Sequence, residues 1–332
     1  MLILWANDVL QNFYKRMNWL NCKLVWRCGI SLLAIVIVQS QKQDRRLLAG
    51  VPQAIATSIP DSSDEGVYRQ IIDRAERQNL TQASMGEIVQ AISKEFLGAE
   101  YKAGLLDRST QETLVISLKQ FDCLLFVETV LAIADNITLQ KDNYQDFKNE
   151  VEDRRYWQGK MNGYCSRLHY FSDWIEDNQR RGNIVNVTQK LGGIDTVKKL
   201  NFMTTHRDSY SSLSKSDRNF KCISRVEDSL STTFNYIPTQ KIRRTYSQLK
   251  PGDIIGVATK IEGLDFTHTG FAYRQPNGNV GLIHASPAGK VVIAQDLQNY
   301  IKNVPQAAGI VVSRANKPKF KGVADLKYQT DK

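Results

Sequence analysis

The chain of 332 residues has little of what usually holds a metal or binds nucleic acid. It has four histidines and five cysteines, with no C-x-x-C pair and no Cys/His group at zinc spacing, so we expect no metal site. Lysine and arginine exceed aspartate and glutamate by ten, yet they form no basic cluster interleaved with aromatic residues and no helix-turn-helix pattern. We therefore expect no nucleic-acid partner and no cofactor. The positive charge suits another acidic partner, such as an anionic polymer.

An apolar run long enough to span a bilayer is also missing from the amino end. The run GISLLAIVIV at 29–38 has ten residues, follows basic residues and precedes small and polar ones. This order is typical of a signal peptide, which we predict over 1–40, with Met17 as an alternative start. The competing interpretation is a retained hydrophobic anchor. Export places the protein in the periplasm or cell envelope, and we expect no membrane span in the mature form.

The remaining chain divides into a polar linker over 41–66, one domain over 67–315 and a charged tail over 316–332. Helical periodicity comes first, and short β-branched segments follow. Helices are predicted from 67 onward and over 85–97, 122–135, 144–155 and 173–181, and strands over 253–259, 267–274, 279–285, 290–293 and 309–313. This order indicates an α+β domain with an antiparallel sheet. We expect 142–250 to be a mostly helical or loop insertion, with loops over 203–221.

Cys123 begins the apolar stripe of a predicted helix, in the stretch FDCLLFVETV at 121–130. The positions 3, 4, 7, 8 and 11 residues later are all apolar, and Asp122 can cap the first turn. The thiol then lies at a helix N-terminus, where the dipole and free N–H groups favour a thiolate and can bind an oxyanion. The alternative is a core cysteine, the commoner role of a lone cysteine in an apolar helix. A nucleophilic cysteine needs a base, so the histidines decide between the two.

The other cysteines say less about function. Cys22 and Cys28 leave with the predicted signal peptide, so three cysteines remain and at least one thiol is free. A Cys165–Cys222 disulfide is one option that nothing else in the sequence supports.

His268 and His284 lie on adjacent predicted strands joined by the turn QPNGN. A two-residue Asn-Gly loop would place the two histidines on opposite faces of the sheet. A three-residue loop, a type I turn with Pro276 at its second position and Gly278 left-handed, would place them side by side. Because Pro276 suits the three-residue loop, we predict that the histidines are neighbours on one face. A thiol, a base and a group that orients the base are the parts of a cysteine hydrolase.

At this point the sequence resembles a known family. FDC at 121–123, HTG at 268–270 and HAS at 284–286 follow the order of NlpC/P60-type papain-like peptidoglycan hydrolases. More narrowly, four segments resemble the N-acetylmuramoyl-L-alanine amidase-like branch formerly called DUF1460: SRLHYFSDWIEDNQRRG (166–182), KLGG (190–193), GDIIGVATKIEGLDFTHTGFAY (252–273) and LIHASPAGKVVI (282–293). There are two departures: Leu125 stands where the branch commonly has threonine, and Glu100 where the superfamily's G-x-P-Y-x-x-G segment has proline.

The resemblance implies a papain-like core and a cysteine hydrolase that acts on peptidoglycan or muropeptides. From the predicted signal peptide we expect it to be secreted, and we expect a monomer. It implies that Cys123 attacks an amide carbonyl, that His268 accepts and returns the proton, and that His284 orients His268. Amides at the helix tip around Asp122, with Tyr101 as a helper, would stabilise the oxyanion. The bond expected to be cut joins N-acetylmuramic acid to L-alanine. The alternatives are the γ-D-glutamyl–diamino acid bond and a wall-binding module without catalysis.

The insertion contributes candidate substrate-binding residues, since aromatic faces stack on sugar rings and arginine pairs with carboxylates such as those of a lactyl–peptide substrate. These candidates are Arg167, His169, Tyr170, Asp173 and Trp174. The alternative is that this stretch simply packs as the buried face of a helix. His169 is also the second candidate for the catalytic partner of Cys123.

Overall fold

The computed structural model describes residues 63–109, 111–230 and 233–318. The predicted signal peptide, most of the linker and most of the charged tail lie outside the described residues. Within the described ranges, no helix is both long enough and apolar enough to cross a membrane.

The described helices and strands follow the predicted order, helices before the main group of strands. The helices are α1 (Asp64–Arg77), α2 (Met85–Glu95), α3 (Cys123–Leu139), α4 (Tyr144–Arg155), α5 (Phe171–Arg180), α6 (Phe202–Thr205), α7 (Ser211–Ser214), α8 (Asp217–Ser229) and α9 (Leu297–Lys302). The strands are β1 (Glu100–Tyr101), β2 (Gln120–Phe121), β3 (Ile184–Asn186), β4 (Ile194–Val197), β5 (Thr233–Pro238), β6 (Ile254–Thr259), β7 (Phe266–Arg274), β8 (Val280–Ser286), β9 (Lys290–Ala294) and β10 (Ala307–Ala315).

A ten-stranded sheet forms the centre of the described part, in the order β2-β1-β9-β8-β7-β6-β10-β5-β4, with β3 also paired to β10. β1 and β2 are parallel, and the other pairs are antiparallel. The predicted α+β class is therefore confirmed. The five strands predicted after residue 250 correspond to β6 to β10.

The insertion differs from the prediction in two ways. It supplies β3, β4 and β5, so it extends the sheet as well as covering it. The expected loops over 203–221 are wrong in part, because α6, α7 and the first turns of α8 occupy this stretch. A disulfide joins Cys165 to Cys222 on α8, whereas Cys123 is a free thiol. This bridge connects two parts of the insertion that are 57 residues apart.

Polar caps set the helix starts that the sequence predicted. Ser84 and Glu87 form a reciprocal capping box at the start of α2. At the start of α3, the Asp122 carboxylate accepts the backbone N–H groups of Leu124 and Leu125 at 3.0 and 2.8 Å. α3 ends where Gln140 takes a left-handed conformation. Almost every residue of α3 is buried, so its tip is fixed from all sides.

The two faces of the sheet carry separate apolar cores. One core contains α3 together with Phe271 of β7 and Ile283 of β8. The other contains apolar residues of α9 together with Ala272 and Leu282. Because successive side chains of a strand point to opposite faces, odd positions in this part of β7 and β8 face α3 and even positions face α9. This alternation decides where the two histidines lie.

The turn between β7 and β8 is the predicted three-residue loop. Phe271 pairs with Ile283 and Arg274 with Val280, the register that a loop of Pro276, Asn277 and Gly278 requires. Gly278 has a φ of +83°, as the left-handed third position of the loop demands. The predicted register is confirmed, and it places His268 and His284 on the same face.

Candidate active site

His268 and His284 are in direct contact on the face of the sheet that α9 covers. The distance between His268 Nε2 and His284 Nδ1 is 2.6 Å, and the ring planes are nearly perpendicular, at 88°. Both side chains are buried, with 3% and 1% of their surface exposed. Gly270 permits this approach, because a Cβ there would lie 2.8 Å from the Cβ of His284. The predicted side-by-side arrangement is confirmed.

Burial keeps both rings neutral near pH 7. It lowers the pKa of His268 to about 3. Burial also lowers the pKa of His284 well below its ordinary value, and the positive charge of a protonated His268 lowers it further. Among the described residues, His268 Nδ1 is buried without a hydrogen-bond partner. When His268 Nε2–H donates to His284, this Nδ1 carries the lone pair and can accept a proton.

Cys123 meets β7 beside His268. The Thr269 backbone forms a hydrogen bond with the Cys123 thiol, and Thr269 directly follows His268. The pairing of β7 with β8 runs from Arg274 to Phe271, so Thr269 lies beyond the paired segment. The thiol therefore contacts the backbone of β7 one residue from His268, while α3 and the His268 imidazole lie on opposite faces of the sheet.

The prediction that the helix tip favours a thiolate is wrong for this structure. Burial, with 1% of Cys123 exposed, raises the pKa of the thiol well above its ordinary value, and the neighbouring Asp122 carboxylate raises it further. Backbone hydrogen bonds from Thr269 and from Cys123 itself lower it by less. Two first-turn N–H groups, those of Leu124 and Leu125, already bind Asp122 and are not free for an oxyanion. Desolvation by burial is thus the largest influence on the pKa of the Cys123 thiol.

Tyr101 lies beside the start of α3. β1 and β2 pair in parallel, with Tyr101 in register with Phe121, two residues before Cys123. The Lys102 N–H donates to the Phe121 carbonyl at 2.8 Å, which extends this pairing by one residue. The two predicted helper residues, Tyr101 and Asp122, therefore both lie at the amino end of α3.

Two of the insertion candidates have partners inside the fold. Arg167 is buried and pairs with Glu112 at 2.7 Å and with Asp107 at 3.7 Å. His169 is buried too: its Nε2–H donates to the Tyr164 carbonyl at 2.9 Å, and the two rings are 4.6 Å apart. These contacts occupy the Arg167 guanidinium that a substrate carboxylate would need, whereas His169 Nδ1 has no hydrogen-bond partner among the described residues.

Of the other three candidates, only Asp173 is partly exposed. The Tyr170 hydroxyl donates to Glu227 at 2.6 Å, and the Trp174 ring stacks on Phe171 at 5.2 Å, with both side chains fully buried. Asp173 lines a cavity of about 920 Å³, together with Trp157, Arg225 and Arg167, whereas Cys123, His268 and His284 do not line it. Burial and neighbouring carboxylates raise the pKa of Asp173 to about 7.

Tyr300 of α9, which was not among the residues predicted from the sequence, lies next to the histidine pair. Its ring lies 4.7 Å from the ring of His284 and 6.2 Å from that of His268. The apolar residues Leu297 and Ile301, spaced four apart, could have indicated a turn of helix packed on the sheet. Nothing in the sequence indicates which strand positions this turn covers.

The comparisons with known proteins agree with the resemblance seen in the sequence. The model of a family described as N-acetylmuramoyl-L-alanine amidase-like matches residues 91–310. The chain belongs to this N-acetylmuramoyl-L-alanine amidase-like family. A comparison with curated proteins finds no match.

Solved structures of other proteins are similar to the chain over most of its described part. An N-acetylmuramoyl-L-alanine amidase from Bacteroides uniformis is 32% identical with a TM-score of 0.66, covering 70% of this chain and 99% of that one. A Bacteroides fragilis protein described as a candidate xylanase is 35% identical with a TM-score of 0.63, covering 68% and 99%. A Legionella pneumophila protein assigned to DUF1460 is 23% identical with a TM-score of 0.56, covering 76% and 97%, and shares the fold.

Proposed function

We propose that this family member is an exported cysteine amidase that cuts the bond between N-acetylmuramic acid and L-alanine in peptidoglycan fragments. Membership in the amidase-like family supports a peptidoglycan amide as the substrate. One observation carries the chemistry: His268 Nε2 is bound to His284, and His268 Nδ1 remains without a hydrogen-bond partner in the described part of the chain. The Cys123 thiol forms a hydrogen bond with the backbone of Thr269, the residue that follows His268 in β7.

In the proposed reaction, His268 acts as a general base during the attack. Because the resting thiol and imidazole are both neutral, the thiol proton moves to His268 Nδ1 as the sulfur bonds to the lactyl carbonyl carbon. The C–N bond then breaks, and His268 returns the proton to the amine of L-alanine. The muramoyl thioester on Cys123 is hydrolysed by water, which His268 deprotonates in turn.

The neighbouring groups have supporting roles in this proposal. His284 Nδ1 accepts the Nε2–H of His268 and so keeps the tautomer whose Nδ1 is the base. The Cys123 backbone N–H, with Tyr101 as a helper, stabilises the oxyanion. Asp122 fixes the first turn of α3 and with it the direction of the thiol.

We also propose roles for the remaining predicted features. We assign 67–315 to one NlpC/P60-type papain-like domain, in which 142–250 forms a wall of the cleft. Asp173 is the insertion candidate best placed to meet a substrate, because it is partly exposed to a cavity. Arg167, His169, Tyr170 and Trp174 support that wall through buried contacts.

Product analysis with a defined muropeptide tests the function. The mature protein is incubated with N-acetylmuramoyl-L-alanyl-γ-D-glutamyl-diamino acid, and the products are identified by mass spectrometry. A peptide with a free L-alanine amine is expected, whereas release of the diamino acid would support the γ-D-glutamyl endopeptidase alternative. Cys123→Ala should abolish cleavage. His206→Ala, which removes a histidine outside the site, is the matched control and should cleave normally.

If Cys123→Ala cleaves as fast as the wild type, the proposal of a cysteine amidase is wrong. If neither protein cleaves but both bind the wall polymer, the chain is a binding module. Circular dichroism of each variant shows that a lost activity is not a lost fold.

A further inference from the structure

Among the described residues, one aromatic side chain from outside the sheet packs on the histidine pair. Tyr300 of α9 is half-buried, whereas His268 and His284 are almost completely buried. Its ring is tilted by 58° against the ring of His284, with the centroids 4.7 Å apart. The same ring lies 6.2 Å from His268. Tyr300 therefore packs on the His284 ring, next to the hydrogen-bonded pair, on the face of the sheet that α9 covers.

The position of the Tyr300 ring is fixed by its helix. Asp296 caps α9 by accepting the Asn299 N–H at 2.8 Å. Leu297 and Ile301, on either side of Tyr300 in the sequence, are fully buried in the core on this face of the sheet. The Gln298 N–H donates to the hydroxyl of Tyr246 at 2.8 Å. These contacts leave the backbone of α9 little freedom, so the ring is held where it is.

The histidine pair is oriented without help from a charge. Burial is the cause of the low pKa of His268, and the pKa of His284 is lowered by burial and by the charge of His268. α9 packs on the pair and brings Tyr300, whereas α3, with Cys123 and Asp122, packs on the opposite face of the sheet. Among the described residues, neither pKa has a contribution from a carboxylate. A neutral imidazole that no carboxylate anchors needs packing to keep its orientation.

We propose that Tyr300 is a positioning residue for the Cys123–His268–His284 reaction. Its ring holds the His284 imidazole in the orientation that accepts the Nε2–H of His268, and it excludes water from that hydrogen bond. A hydrogen bond screened from water is stronger and better directed than one that water can enter. This inference rests on the proposed function, because it gives Tyr300 a role in that same site.

The test separates the ring of Tyr300 from its hydroxyl. Tyr300→Phe keeps the ring and should retain kcat within about 3-fold of the wild type. Tyr300→Leu removes the ring, and kcat should fall roughly 10- to 100-fold with KM nearly unchanged, because the general base is misplaced but the substrate contacts remain. The acid limb of the kcat profile should move to higher pH, since water entering the site raises the pKa of the histidines. Asn299→Ala on the same helix is the control and should behave as the wild type.

A second readout keeps the test independent of turnover. Imidazole signals of His268 and His284 are followed by NMR against pH in the Cys123→Ala background, with and without Tyr300→Leu. The leucine change should raise the pKa of the histidine pair. If the wild type cleaves no muropeptide, the proposed function fails, while this titration still decides the role of Tyr300.

Three results would overturn the inference. The first is an unchanged kcat and an unchanged acid limb in Tyr300→Leu. The second is a loss confined to KM, which would make Tyr300 a substrate contact. The third is an equal loss in Tyr300→Phe, which would assign the effect to the hydroxyl. Tyr300→Met, which fills a similar volume without a ring, replaces the leucine variant if that variant does not fold.

Discussion

His268 and His169 look alike by local criteria but differ in what surrounds them. Both are buried, both have Nε2 in a hydrogen bond, and both have an Nδ1 without a partner among the described residues. The Nε2–H of His169 is bound to a backbone carbonyl, and the charge of Arg167 lowers its pKa beyond the effect of burial. His268 instead faces a second imidazole and lies beside the strand residue that binds the Cys123 thiol. A buried, unpartnered ring nitrogen therefore does not by itself identify a general base.

Replacing each histidine by glutamine should give the largest difference between the two, measured as loss of activity. His268→Gln removes the proposed base, so kcat/KM for the muropeptide should fall by at least about 10⁴-fold. His169→Gln keeps a side-chain amide that can donate to the Tyr164 carbonyl, so the activity of the folded protein should stay within about 3-fold. Steady-state kinetics on both variants, with folding checked by circular dichroism, measure the contrast. Equal losses in the two variants would mean that the comparison misidentifies the base.

The same two variants should be alike in the pH dependence of stability. Folded His268 stays neutral down to a pKa of about 3, whereas an unfolded histidine takes up its proton near its ordinary pKa of 6.5. The unfolded state binds more protons between these values, so the stabilisation is complete above pH 6.5 and is lost as the pH falls towards 3. The loss for His268 reaches about 5 kcal/mol at most. The pKa of His169 is also lowered, so its contribution to stability is likewise lost as the pH falls below its ordinary pKa of 6.5.

Urea denaturation between pH 3 and 7 measures this effect as the difference between the wild type and each variant. The difference is needed because the pKa values of Asp135 and Asp173 are raised to about 6 and 7. Protonation of these two carboxyl groups therefore stabilises the folded protein as the pH falls. A difference that does not change with pH would mean that the histidines are not buried as the structure shows.

The surroundings of His169 should matter for stability more than for catalysis. Arg167→Met leaves the buried Glu112 carboxylate without its charged partner, which should cost about 3 kcal/mol in the free energy of unfolding. The kcat/KM of the folded protein should remain near that of the wild type. Arg180→Met, which removes a half-exposed partner of Asp177, is the control and should cost less than about 1 kcal/mol. A large rise in KM with unchanged stability would restore Arg167 as a substrate-binding residue.

Local sequence signals predicted the part of the site that depends on short-range geometry. Pro276 and Gly278 determine the loop between β7 and β8, and the loop determines that His268 and His284 share a face. The cap at Asp122 likewise determines where α3 begins. In both cases a few neighbouring residues set the geometry, so the sequence alone was sufficient.

Long-range pairing and burial were not predictable in the same way. β3, β4 and β5 are short and lack clear alternation, and they exist because distant β10 or a neighbouring strand pairs with them. α8 is polar along most of its length and buries only Ile223 and Glu227, so its apolar signal is weak. The pKa of Cys123 depends on how completely the surrounding chain excludes water, which the stretch FDCLLFVETV does not reveal.

The smallest expected effect concerns the thiol that distinguishes the surroundings of His268 from those of His169. Asp122→Asn keeps a side-chain oxygen that caps α3, so the free energy of unfolding should change by only a few tenths of a kcal/mol, against about 1 kcal/mol for Asp122→Ala. The substitution removes the carboxylate whose charge raises the pKa of Cys123, so that pKa should fall. The rate of alkylation by iodoacetamide, followed against pH, should therefore begin to rise at a lower pH than in the wild type. An unchanged alkylation profile would mean that burial alone keeps the thiol protonated and that the charge of Asp122 does not reach the sulfur.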